Sequence, residues 1–228
     1  MLETYSIPGF SEPFNSISHL LAAVVFFIMS VPLLKSGRGN IPKLITLSVF
    51  SFAGVFMLSM SGVYHLLSPG GMGSIVMQRL DHSAIFVLIV ATMTPIHQIL
   101  FKGFMRWGWI IIIWSIAITS LTLKTIFFTS FPEWIGLVLF LSLGWLGAVS
   151  GAILWFKKDL AFIGFLVLGG LSYTAGAVLE FLQTPVAIPG IIRAHELFHV
   201  AVIIGLFSHW KFIYDIANMS DREPKKNN

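Results

Sequence analysis

No cysteine occurs anywhere in the 228 residues. Disulfides, thiolate metal sites and a cysteine nucleophile are therefore excluded, and any metal must be held by His, Asp or Glu. Charge is scarce as well: Asp, Glu, Lys and Arg make up 11% of the chain, against about a quarter of a soluble domain. No polar stretch is long enough to build such a domain. The fourteen Lys and Arg residues sit in short loops between apolar runs, so they read as topology signals rather than as a nucleic-acid-binding face. None of them precedes Lys35. The first apolar run thus lacks the basic flank of a secretory signal and reads as a retained span.

What is present is hydrophobicity, at 56% of residues. Runs long enough to cross a bilayer recur over the whole length. Seven spans are expected, at about 16–34, 44–67, 79–101, 106–124, 134–156, 160–181 and 193–214. The fold class is all-α: a polytopic seven-helix membrane bundle forming one domain over residues 1–228, with a polar tail at 215–228. Gly and Pro mark the breaks at 36–42, 68–71, 102–103, 132 and 185–190, and Lys157-Lys158-Asp159 separates spans five and six. Those two spans nearly abut, so a six- or eight-span count is the alternative. Gly144, Gly147 and Gly151 in span five and Gly169, Gly170 and Gly176 in span six read as helix-packing positions.

Seven spans put the chain ends on opposite sides. Arg79, Lys124 and Arg193 are the basic residues on the N-terminal side; the other eleven lie on the C-terminal side. That bias predicts a plasma-membrane protein with its N-terminus outside and its C-terminus in the cytoplasm.

Ionisable residues inside spans are costly and mark candidate sites. His195 and His199 are four apart, so they share one helix face. Span parity brings His65, late in span two, and Asp81, at the opening of span three, to the same depth. Three neutral imidazoles suit Zn²⁺ and leave a fourth position open. Asp81 is then either a fourth ligand or, preferably, the base that holds a metal-bound water. The competing reading is a polar network joining spans two, three and seven. Ser61 lies one turn before His65 and either bonds to the site or back-bonds to its own helix. His82 is rotated away from Asp81 and reads as a supporting or helix-contact residue. Glu12, Asn15 and His19 either orient ligands from behind or cap span one. Glu180 reads as an exposed interfacial residue, and His97 and His209 as interfacial residues on the opposite side.

His195-Glu196-Leu197-Phe198-His199 also matches H-E-x-x-H, the zinc-protease helix, which would make Glu196 a general base. No downstream ligand supports it; Asp215 lies at the far side.

A wider pattern fits better. Ser61-Gly62-Val63-Tyr64-His65, Arg79-Leu80-Asp81-His82, His195-Glu196-Leu197-Phe198-His199 and the opening Glu12-Pro13-Phe14-Asn15-Ser16-Ile17-Ser18-His19 together resemble the hemolysin III family, part of the progestin and adiponectin receptor group. The resemblance covers essentially the whole chain. It implies a seven-helix bundle unrelated to G-protein-coupled receptors. It implies zinc held by His65, His195 and His199, with Asp81 near the metal water and Ser61 behind. In that family the position of Glu196 need not be acidic, which argues against its role as a base. The animal receptors of the group look like ceramidase-type lipid amidases, whereas bacterial members are named for haemolysis. The receptors' large N-terminal extension has no counterpart here, so hormone binding is not carried over. Their N-terminus lies in the cytoplasm, opposite to the charge count, and the expectation here follows the count. The expected function is zinc-dependent hydrolysis of a lipid amide or ester. The alternatives are a receptor-like or cytolytic factor with structural zinc, and an intramembrane metalloprotease. Expected partners are membrane lipids, including a lipid substrate, and no nucleic acid. The sequence does not specify an oligomeric state.

Overall fold

The structure is a computed structural model that describes residues 10–130, 132–183, 188 and 192–219, the side chains of Glu133 and Leu160 apart. The expected polar tail beyond residue 219 and the Pro185 and Pro189-Gly190 break lie outside the described residues. Seven helices, and no strand, occur among the described residues: α1 Pro13–Lys35, α2 Ile41–Leu66, α3 Met72–Leu100, α4 Phe104–Ile126, α5 Glu133–Lys157, α6 Leu160–Leu182 and α7 Ala194–Met219. All seven are long and apolar enough to cross a membrane.

The helix ends follow local chemistry. Asn40 caps α2 by accepting from the Lys43 N–H, and Asp159 caps α6 by accepting from the Phe162 N–H. This aspartate cap separates α5 from α6 despite their short connection. Helix α6 ends at Gln183 in the left-handed conformation, φ 53°. At the start of α7 the Glu196 carboxylate accepts from the backbone N–H of Arg193 at 2.8 Å, the acidic half of a capping box.

Helix α3 is central. It packs against α2, α4, α5 and α7, and two thirds of its most apolar stretch is buried. The core between helices contains Phe26, Phe50, Leu58, Leu88, Leu206 and Phe212, all buried. The outer faces of α1, α4, α5 and α6 expose Leu21, Phe27, Ile111, Trp145, Trp155 and Leu171. Such faces suit a lipid solvent, in which backbone polar groups are satisfied within each helix.

Helix α3 begins at Met72 rather than near 79. Gly73, Ser74, Gln78 and Arg79 depress the hydropathy of its first turns without breaking the helix. Asp81 therefore lies nine residues into α3, not at its opening. The glycines divide. Gly169 faces the His209 ring and Gly176 faces Ala201 and Phe198, both at α6–α7 contacts, and Gly147 faces Met93. Gly144 and Gly170 have nothing within 4 Å of where a Cβ would stand, so close packing does not explain those two.

Candidate metal centre

The ends of α2 and α6 and the starts of α1 and α7 meet at one end of the bundle. Two backbone hydrogen bonds fasten the start of α1 to the end of α2: Ser11 N to Leu66 O at 3.2 Å and Glu12 N to His65 O at 3.0 Å. Docked there, the Glu12 carboxylate meets His65 Nδ1 at 2.6 Å. Across the bundle, Glu180 of α6 reaches His195 Nδ1 at 3.2 Å. A carboxylate only accepts, so both imidazoles carry their proton on Nδ1 and leave an Nε2 lone pair. The third ring is held differently. His199 Nδ1 stands 2.8 Å from Nε2 of His19, which is almost fully buried in α1.

Each of the three rings thus has its Nδ1 met from behind by a different residue, two from the start of α1 and one from α6, an arrangement that orients the rings in histidine metal sites. His65, His195 and His199 each offer a ring nitrogen within 4.8 Å of the other two. Nε2 of His195 and Nε2 of His199 are 3.1 Å apart. With the His199 proton on Nδ1 toward His19, both Nε2 lone pairs face one another and a cation between them would relieve their repulsion; with the proton on Nε2, the pair is a hydrogen bond. Tetrahedral Zn–N bonds of 2.0–2.1 Å would set neighbouring nitrogens about 3.3 Å apart. The donor set therefore fits a metal ion on both chemistry and spacing.

Asp81 is buried, and Ser61, His65 and His195 are close enough to act on it. It stands outside the three-histidine set. His82, although adjacent, tilts against the Phe128 ring at 5.2 Å. Ser61 is buried and reaches toward Asp81. Asn15 is fully buried, and its amide bridges two carboxylates: Nδ2 donates to Glu12 at 2.9 Å and to Glu196 at 3.2 Å. Glu196 is also buried and takes hydrogen bonds from the backbone and guanidinium of Arg193. The ion pair in turn raises the pKa of Arg193. Glu12, just outside the first span, is pushed down to about 2, chiefly by the hydrogen bond from His65.

Three expectations need correction. Glu180 is half-buried and engaged with His195, not simply exposed at the interface. His97 is fully buried: its Nδ1 meets the Met105 carbonyl at 2.6 Å and its Nε2 meets the Ser150 hydroxyl at 2.8 Å. His209 is buried too, with Nε2 donating to the Leu166 carbonyl at 3.1 Å over the space left by Gly169. Both sit inside the bundle because α5 and α6 supply partners that the local sequence does not announce.

The family model of haemolysin-III related proteins matches residues 10–210, a span that includes each of these ring nitrogens and the carboxylates behind them. The chain belongs to that family. Hemolysin-3 of Bacillus cereus is 28% identical over 138 residues, which is 58% of this chain and 60% of that protein. The hemolysin-3 homolog of Bacillus subtilis (strain 168) is 27% identical over 138 residues, covering 58% and 62%. The chain thus aligns with about three fifths of the length of these relatives. Haemolysin-III membership and seven apolar helices together identify a multi-pass membrane protein in contact with membrane lipids.

Proposed function

We propose that this chain is a zinc-dependent membrane hydrolase acting on a lipid amide or ester. The observation that carries the reading is the set of three convergent imidazoles, each held at Nδ1 by Glu12, Glu180 or His19. Nitrogen donors without thiolate suit Zn²⁺, and three protein ligands are the pattern of catalytic rather than structural centres. Zinc bound there would supply Lewis acidity toward a carbonyl and lower the pKa of water toward about 7. His65, His195 and His199 would hold the ion. Asp81, positioned by Ser61, is the group that accepts the proton from the attacking water. Asn15 keeps Glu12 and Glu196 together, and so keeps α1 registered against α7. A lipid substrate enters sideways between helices, since the outer faces of the bundle are apolar.

The N-terminal side, and with it the centre, faces outward from the plasma membrane by the distribution of basic residues. The protease reading draws less support, because Glu196 is occupied by Arg193 and Asn15. The near-complete burial of His65 and His199 favours one other reading. In that reading Asp81 closes the coordination sphere, and the protein is a receptor-like or cytolytic factor with structural zinc. Asp81→Ala separates the two. Under the hydrolase reading the purified variant keeps its zinc and loses hydrolysis of ceramide-type amides and lipid esters. Unchanged hydrolysis removes Asp81 from the mechanism, and loss of the metal supports the closed centre.

A further inference from the structure

The end of the bundle that holds the three histidines carries a second cluster, on the α4 side of α3. Its centre is the ring of Phe128, just after α4. Arg79 of α3 places its guanidinium carbon 5.6 Å from the centroid of that ring, and Lys124 of α4 places its ammonium at 5.1 Å. His82 tilts against the same ring at 5.2 Å. A hydrogen bond between the Ser83 and Thr125 hydroxyls, at 3.1 Å, ties the two helices together beside it. Two positive charges thus share one aromatic platform. A phenyl ring attracts a cation only weakly, and the two charges repel each other. Neither cation has a hydrogen bond or an ion pair among the described residues. Lys124 is the stronger sign of a ligand, because it is only 6% exposed. Its stem lies against α5, where Cε stands 3.5 Å from the place a Cβ would take at Gly136. Its ammonium is not sealed from solvent, whereas Arg79 Nε and His82 Nδ1 are. A ligand would therefore meet Lys124 Nζ and the terminal nitrogens of Arg79. A charge held in a membrane without a counter-charge is costly, and an anion would remove that cost. Trp134, half-exposed in the first turn of α5, is the residue type that settles at the headgroup level. The cluster lies beside it, at the depth of lipid phosphates.

We propose that Arg79 and Lys124, set around the Phe128 ring, bind the phosphodiester of an anionic phospholipid from the surrounding leaflet. The phosphate oxygens accept hydrogen bonds from the terminal nitrogens of Arg79 and from Lys124 Nζ. The acyl chains run along the apolar outer side of α4, where Ile116 and Leu123 are exposed. A zwitterionic lipid would bring a third cation against the pair. Nothing in this site depends on the metal centre or on hydrolysis.

The test uses the full chain carrying Thr129→Cys, labelled there with an environment-sensitive fluorophore and purified in detergent. The chain has no other thiol, and Thr129 is exposed beside Phe128, so the signal reports on this end of the bundle. Titrants are phosphatidylglycerol, phosphatidylcholine and sodium phosphate. Phosphatidylglycerol should reach half-effect at a concentration at least about fivefold lower than phosphatidylcholine. Arg79→Gln and Lys124→Gln should each raise the phosphatidylglycerol midpoint about fivefold and leave that of phosphatidylcholine unchanged. Lys157→Gln, basic but at the other end of the bundle, should change neither. If Lys124→Gln fails to fold, Arg79→Gln, at a half-buried position, carries the test. Equal midpoints for the two lipids, or an unchanged phosphatidylglycerol midpoint in either folded variant, would overturn the proposal. So would sodium phosphate acting at the same concentration as the lipid, which would assign the cluster to a soluble anion.

Discussion

Replacing Glu12 or Glu180 by Gln tests whether the outer partners of the imidazoles build the centre. Each change keeps side-chain size and removes the charge that holds an Nδ1–H. The Glu12 contact is the shorter, 2.6 Å against 3.2 Å, and Glu12 is held ionised down to about pH 2. Its folded pKa is depressed from 4.5, so its contribution is fully present above 4.5 and is lost only as the pH falls toward about 2. At pH 7 the whole effect is therefore available to lose. Removing such a partner typically weakens metal binding by about 10–100-fold, or about 1.4–2.8 kcal/mol. Glu12→Gln should lie toward the upper end and Glu180→Gln toward the lower. The assay is zinc competition between purified protein and a chelator of known affinity at pH 7. Glu196→Gln is the control. It should lower thermal stability, because Glu196 is buried under Arg193 and Asn15, yet change zinc affinity less than Glu12→Gln does. Affinities within threefold of wild type for both Glu12→Gln and Glu180→Gln would refute the reasoning.

Four further outcomes are expected. Asn15→Asp places a third carboxylate between Glu12 and Glu196 and should destabilise the fold by several kcal/mol, read as a fall in the melting temperature in detergent. Gly169→Ala forces a Cβ to within 2.3 Å of the His209 ring and should cost about 1–3 kcal/mol with zinc content unchanged. His97→Gln should leave zinc stoichiometry at the wild-type value, since His97 bonds Met105 and Ser150 rather than the cluster; metal analysis checks it. The natural chain has no cysteine, so Asn228→Cys gives a single thiol, which should resist an impermeant maleimide in intact cells and react after lysis. Labelling of intact cells would reverse the proposed orientation.

The converging histidines were readable because two of them share a helix face and span parity fixes the depth of the third. The count of seven helices was readable because apolar runs and Gly/Pro breaks are local. Pairings between distant helices were not. Glu180 reads locally as a boundary residue, and only the packing of α6 on α7 brings it to His195. His97 and His209 looked interfacial because their neighbours Pro95 and Trp210 suggest a boundary, yet α5 and α6 bury them. Hydropathy places the start of α3 near 79, whereas the helix itself begins at Met72, because polar residues lower hydropathy without breaking a helix. Glu12, Asn15 and His19 sat between capping and support. The Ser11 and Glu12 backbone bonds to the end of α2 show that the same segment starts the helix and braces the histidines.

Metal analysis of the full chain, purified without chelator and supplied with zinc, tests the central claim most directly. About one zinc per chain is predicted for wild type, from one three-nitrogen centre, with none retained when His65 and His199 are both replaced by Ala. A zinc-free wild-type protein, or a double variant that keeps the full complement, would contradict the account.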